Sequence, residues 1–128
     1  MPLIKHFREL NGYQLARREA QAIYARSRNF PAEERSALTD QIRRSSRAVK
    51  AMVAETWARR RYRAVFINKI DEALGEAPET QSWLDDCLDG GYISSVEFKR
   101  MDAAWQSIGA MLNKMILRAD DFCGTKPD

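Results

Sequence analysis

The sequence predicts an all-α protein, an antiparallel up-down-up-down four-helix bundle in a single domain of 128 residues. Apolar side chains recur at spacings of three and four in four consecutive segments, which is the period of an amphipathic helix. Short polar connections separate the segments, and such connections place neighbouring helices antiparallel. With 45% hydrophobic and 30% charged residues, the chain can bury a core beneath a solvated surface. We expect frayed ends at about residues 1–6 and 123–128.

The first two predicted helices each present one apolar face. The face of the first comprises Leu10, Tyr13, Ala16, Ala20, Ile23 and Tyr24. The second begins at Pro31, because proline suits the first helical position, where its missing N–H would have no partner in any case. Its face comprises Leu38, Ile42, Ser45, Val49, Met52 and Thr56.

The third and fourth predicted helices are longer. The face of the third comprises Tyr62, Phe66, Ile70, Ala73, Ala77, Thr80, Leu84 and Leu88. Pro78 lies inside this helix and removes a backbone hydrogen bond, so we expect a kink near Gly75 to Pro78. The fourth helix has the clearest face, which comprises Phe98, Met101, Trp105, Ile108, Leu112, Met115, Ala119 and Phe122. Ser94 and Glu97 fit a capping box at its start.

The residue types argue against catalysis. His6 is the only histidine of the sequence, so the bundle can hold neither a Ser-His-Asp nor a Cys-His arrangement. A carboxylate-bridged pair of metal ions needs Glu-x-x-His on two helices, which the sequence lacks. Glycines at the spacing of a phosphate-binding loop are also missing. We therefore expect no enzymatic activity, no cofactor and no metal site.

The sequence also indicates a cytoplasmic protein. Its apolar runs fall far short of the ~20 residues that a membrane span requires. The first residues do not have the apolar core and cleavage site of a secretory signal. Cys87 and Cys123 are too few and too far apart for a disulfide framework, and we expect both to be reduced, small apolar side chains.

Several short motifs occur in an order that resembles a known bacterial family. They are Phe7-Arg8-Glu9-Leu10, Phe30-Pro31, Glu33, Leu38, Gln41-Ile42-Arg43-Arg44, Ala54-Glu55, Phe66-Ile67, Ala73-Leu74-Gly75-Glu76, Glu79-Thr80-Gln81 and Gly91-Tyr92-Ile93. Over residues 7–117 the chain resembles the four-helix-bundle proteins encoded by intervening sequences in 23S ribosomal RNA genes. It departs from them at Met52-Val53-Ala54-Glu55-Thr56, where the family usually reads Asn-Ile-Ala-Glu-Gly.

The resemblance implies a fold and an assembly more than an activity. Members of the family form ring-shaped homopentamers, so the partner it implies first is a second copy of the chain. Similar accessory proteins of diversity-generating retroelements associate with nucleic acid and a reverse transcriptase. For most other members the resemblance implies the bundle fold and no assigned activity.

Charge is segregated along the chain, and its basic segment is the candidate functional region. Arg43 to Arg63 contains eight lysines or arginines and one acid, whereas Asp71 to Asp89 contains seven acids and no base. Such basic clusters can contact phosphates, and Trp57 and Tyr62 could offer stacking surfaces to unpaired bases. The candidate nucleic-acid-binding residues are Arg43, Arg44, Arg47, Lys50, Arg59, Arg60, Arg61 and Arg63. Alternatively, these residues form a solvated face that pairs with the acids of the third helix.

Three residues beside the apolar faces are candidates for an oligomer interface. Trp57 and Trp83 could either widen the core or contact a neighbouring subunit. Glu55 could be a partly buried acid hydrogen-bonded to arginine or Gln41, or it could contact a neighbour.

Two functions are compatible with these patterns. The first is a non-enzymatic accessory protein that binds RNA or single-stranded DNA through an electropositive surface. The alternative is a homo-oligomeric scaffold in which the arginines pair with acids and bind no nucleic acid. An unneutralised basic surface favours the first, and arginines paired between subunits favour the second.

Overall fold

Four main helices pack as an antiparallel bundle, so the predicted fold class is confirmed. The computed structural model describes residues 4–124. It contains α1 (Asn11–Ser27), α2 (Asp40–Ala58), α3 (Arg63–Asp89), α4 (Ser95–Leu117) and the short α5 (Ala119–Cys123). Helix α2 packs on α3, α3 packs on α4, and α1 packs on both α2 and α4. None of the helices described is both long and apolar enough to cross a membrane.

The start of α2 is less regular than the sequence predicted. Pro31 precedes a 3-10 helix (Ala32–Glu34), which leads through a π-helix (Arg35–Thr39) into α2. Pro31 thus caps a 3-10 turn, and the α-helix itself begins only at Asp40. The hydroxyl of Tyr92 donates a hydrogen bond of 2.7 Å to Glu34. That bond ties the irregular segment to the turn between α3 and α4.

The boundary between α3 and α4 follows the sequence signals closely. Helix α3 ends at Asp89 with Gly90 as its C-cap, and the next residue, Gly91, has a φ of 74°, a backbone conformation that favours glycine. At the start of α4, the Glu97 N–H donates to Ser94 Oγ over 3.1 Å, and the Ser94 N–H donates to Glu97 Oε1 over 3.2 Å. The predicted capping box is therefore present. Helix α3 continues through Pro78, which was expected to kink it. The proline therefore does not end the helix.

The predicted apolar faces form one core, but at three places the buried residue is not the predicted one. Tyr62 is 44% exposed, and Cys87 rather than Leu88 is fully buried at the end of α3. In α2, Val53 is more deeply buried than Met52. The fourth predicted helix breaks at Arg118, yet the ring of Phe122 still stacks on Phe66, with centroids 5.7 Å apart.

The expected frayed ends fall partly on residues 1–3 and 125–128, which lie outside the described residues. Next to them the chain has hydrogen-bonded structure. His6 Nδ1 accepts the Arg8 N–H over 3.2 Å, and the carboxylate of Glu9 accepts the N–H groups of Lys5 and His6. Cys123 ends α5, and neither cysteine forms a disulfide. Burial raises the pKa of the Cys87 thiol to about 12, which keeps it protonated at neutral pH.

Candidate functional site

Two of the eight predicted basic residues are neutralised by acids of the same chain. Arg44 on α2 reaches across to α3, where its guanidinium pairs with both Glu76 and Glu79. Arg63 Nε lies 2.7 Å from the Oδ1 atom of Asp120. The pairs of Arg44 are of the kind that the alternative interpretation predicted, whereas Asp120 lies in α5 and not in the third helix. Neither arginine is a good candidate for binding phosphate.

Four other arginines lie over aromatic rings. The guanidinium carbons of Arg43 and Arg47 are each 4.6 Å from the ring centroid of Tyr24, and Arg43 Nε donates to Ser27 Oγ over 2.7 Å. Arg60 lies 3.8 Å from the ring of Trp57. Arg61 lies 4.8 Å from the ring of Tyr62. A guanidinium over an aromatic ring keeps its charge, although Arg60 Nη1 also donates to the carbonyl oxygen of Trp57 over 2.8 Å.

A pocket of about 260 Å³ between α1 and α2 brings three cations together. Its lining comprises Arg17, Ala20, Gln21, Arg47 and Lys50. No acid lines it, and no described carboxylate forms an ion pair with these three cations. Sequence reasoning found Arg47 and Lys50 but missed Arg17, because Arg17 lies 30 positions before Arg47 and outside the basic segment.

A second pocket, of about 430 Å³, adjoins the first along α1. Arg17 and Gln21 line both pockets, and Arg8, Tyr13, Gln14 and Arg18 complete the second. Among the described cations that line the two pockets, only Arg18 forms an ion pair with an acid. Its Nε lies 3.3 Å from Glu19 Oε2. We call the two pockets together the basic trough. It follows the outer side of α1 and turns towards α2 at Arg47 and Lys50.

The arginines at the turn between α2 and α3 form a different environment. Arg60 and Arg61 line a pocket of about 470 Å³ together with residues of α5. Asp121 also lines it, so a carboxylate faces the same space. Arg59 is exposed and lines none of these three pockets. The predicted basic segment is therefore several separate environments rather than one surface.

The three predicted interface residues have partners within the chain. Trp57 is only 9% exposed and belongs to the core. Trp83 is half-buried, and its indole N–H donates to Glu79 over 3.3 Å. The side chain of Glu55 is 47% exposed and lies 3.3 Å from Lys69 Nζ, so the expectation of a partly buried acid bonded to arginine or Gln41 is wrong. The oligomer contacts predicted for these residues stay predictions.

The buried acid is Glu19, which sequence reasoning missed. It is 4% exposed, and besides Arg18 its carboxylate lies 3.9 Å from Arg100 on α4. Its spacing could have predicted this burial, because Glu19 stands three positions after Ala16 and four before Ile23, on the apolar face of α1. Across residues 4–124, no group of three or more histidines, cysteines or acids is placed to hold a metal ion.

Comparison with known proteins supports the resemblance read from the sequence. The model of the 23S rRNA-intervening sequence protein family matches residues 8–114. Among solved structures, the chain is similar to a protein of unknown function from the S23 ribosomal protein family of Bacteroides thetaiotaomicron, with 27% identity and a TM-score of 0.72. That similarity covers 82% of this chain and 97% of the other. No curated protein matches. The matched span and the shared bundle show that the chain belongs to the 23S rRNA-intervening sequence protein family.

Proposed function

We propose that the protein is a non-enzymatic, cytoplasmic, homo-oligomeric accessory protein that binds the sugar-phosphate backbone of nucleic acid in the basic trough. The observation that supports this best is the convergence of Arg17, Arg47 and Lys50 on one pocket without an acid. Three cations facing one space repel each other, and an anionic ligand relieves that repulsion. Guanidinium groups form forked hydrogen bonds with phosphate, and lysine adds a point charge.

The placement of Arg47 favours binding further. Its guanidinium lies over the ring of Tyr24, so its side chain loses less conformational freedom when a phosphate arrives. The amide of Gln21 adds a neutral donor between the cations. These groups recognise charge and backbone, so we expect binding that is sensitive to salt and largely indifferent to sequence.

A matched pair of variants on α2 tests this function. Arg47→Gln and Arg44→Gln each remove one positive charge, one helical turn apart. Arg47 faces the trough, whereas Arg44 is paired with Glu76 and Glu79. We expect Arg47→Gln to weaken binding to a labelled RNA hairpin by about tenfold at low salt, since it removes a charge-assisted hydrogen bond. Arg44→Gln should have a clearly smaller effect.

Fluorescence anisotropy provides the measurement, and circular dichroism checks that both variants remain folded. Equal losses in the two variants would assign the effect to net charge rather than to the trough. Absence of binding by the unsubstituted protein at low salt would overturn the proposed function.

The alternative function, an assembly scaffold, also has support. Asp71, Asp85 and Asp86 are exposed on α3, and no described cation forms an ion pair with them. The acidic face of one copy could occupy the basic trough of the next. In that arrangement, substitution of the trough cations would break up the oligomer, whereas the nucleic-acid function leaves the assembly intact.

A further inference from the structure

We propose that the basic trough binds duplex nucleic acid in preference to an unpaired strand, with Arg17 shared between consecutive phosphates. This inference rests on the proposed function, and it specifies the class of ligand. The sequence suggested instead that unpaired bases stack on Trp57 and Tyr62, so this inference reverses the expected preference. The covered aromatic rings beside the trough support the preference for a duplex, and the length of the trough supports the contact of Arg17 with neighbouring phosphates.

The trough is long enough for two neighbouring phosphates of one strand. Its two pockets meet at Arg17 and Gln21, and Gln14 marks the other side of the second pocket. Gln14 and Gln21 are seven residues apart, which corresponds to roughly 10 Å along a helix that rises 1.5 Å per residue. Successive phosphates of one duplex strand rise ~3.4 Å along the axis and also wind around it, so they lie further apart than this rise and about two fit the length of the trough. Arg17 lies at the junction, where it can contact neighbouring phosphates.

The aromatic rings beside the trough are already covered. Arg8 lies 4.8 Å from the ring centroid of Phe7, and the ring of His6 lies 4.4 Å from the same ring. Arg43 and Arg47 both lie over Tyr24. Tyr13 is only 7% exposed and meets Phe7 edge-on, with centroids 4.9 Å apart. Proteins that bind unpaired strands use open aromatic faces as stacking platforms, and these rings do not offer them.

Stacking and phosphate binding also compete for the same side chains. Arg8 lines the second pocket and covers Phe7, while Arg47 lines the first pocket and covers Tyr24. A base that stacked on either ring would displace an arginine that lines the phosphate-binding space. The bases of a duplex are already stacked on each other, so a duplex gives up nothing here. It also presents charge at higher density, with a salt slope of ~0.9 per phosphate contact against ~0.7 for a single strand.

The test compares a blunt duplex with an oligo(dT) strand that has the same number of phosphates. Both are titrated with the full chain at matched salt concentrations, and binding is followed by fluorescence anisotropy. We expect tighter binding and a steeper salt dependence for the duplex. Arg17→Gln should weaken duplex binding more than Lys99→Gln, which removes one charge from an exposed position on α4.

Tyr24→Leu separates the two roles of the ring. If the ring only positions Arg47, the substitution weakens binding of duplex and oligo(dT) by the same factor. A loss confined to oligo(dT) would show that bases stack on Tyr24 and would overturn the inference. Equal or tighter binding of oligo(dT) to the unsubstituted chain would overturn it while leaving the proposed function in place. No binding of either ligand would overturn both.

Discussion

At the scale of single residues, the partner across the helix interface decides what a basic side chain can do. Arg44 and Arg47 lie one turn apart on α2, yet Arg44 meets Glu76 and Glu79 on α3 while Arg47 meets Tyr24 on α1. The sequence predicted both as candidate nucleic-acid-binding residues. It could not predict which neighbouring helix each would meet, because that depends on the rotation of α2 within the bundle. It missed Arg17 because this residue lies on α1, outside the basic segment.

The core of the bundle can be tested at Leu112. This side chain is 0% exposed, so Leu112→Ala removes buried apolar surface and leaves a cavity, at an expected cost of ~2 to 5 kcal/mol in unfolding free energy. Leu117→Ala provides the control on the same helix, since Leu117 is 77% exposed and its truncation should change stability by less than ~0.5 kcal/mol. Urea unfolding of both variants gives the comparison. Equal effects would mean that the buried face of α4 is wrongly assigned.

The capping residue Glu97 gives a prediction on pH. The backbone N–H of Ser94, and secondly the guanidinium of Arg26, lower the pKa of Glu97 from its usual value of 4.5. A depressed folded-state pKa stabilises the fold above the usual value, and this contribution disappears as pH falls through the lower folded value. Glu97→Gln should therefore unfold at lower urea concentration than the unsubstituted protein at neutral pH, and the difference should vanish in acid. A difference that stays constant down to strongly acidic pH would contradict this explanation.

At the scale of elements, the sequence correctly predicted the helix boundary that capping residues and a glycine mark, but it did not predict the irregular segments. Ser94, Glu97 and Gly91 define the turn into α4 through hydrogen bonds and backbone conformation that depend on residues close in sequence. The 3-10 and π-helical turns before α2 depend instead on packing, since they bring Leu38 and Thr39 into the interior. The break at Arg118 is similar, because it lets Phe122 reach Phe66. Apolar periodicity alone does not reveal either feature.

Two glycines of the α3 region should respond in opposite directions to alanine. Gly75 lies inside α3, and an added Cβ would meet nothing within 4 Å, so Gly75→Ala should stabilise the protein by ~0.5 to 1 kcal/mol. Gly91 has a φ of 74°, where a side chain introduces strain, so Gly91→Ala should destabilise by ~1 to 2 kcal/mol. Thermal unfolding of both variants provides the measurement. A loss of stability in Gly75→Ala would indicate that α3 needs flexibility near Pro78.

At the scale of the whole molecule, the assembly is a prediction that rests on the family resemblance. Val96 and Leu117 are 76% and 77% exposed, but they lie at opposite ends of α4 and do not form one apolar patch. The bundle fold was predictable from periodicity, whereas contacts between copies leave no periodic signal in one sequence. We predict, from the family resemblance, a ring of about five subunits in light scattering. A monomer at micromolar concentration would contradict that prediction.

The salt dependence of binding tests the central claim that the basic trough binds a phosphate backbone. The unsubstituted protein and the triple variant Arg17→Gln, Lys50→Gln and Arg47→Gln are titrated with duplex RNA at several salt concentrations, and light scattering checks the oligomer. We predict that the triple variant keeps its oligomeric state and that its plot of log affinity against log salt is shallower by ~2 to 3. An unchanged slope would contradict the account, because the trough cations would then release no counterions on binding.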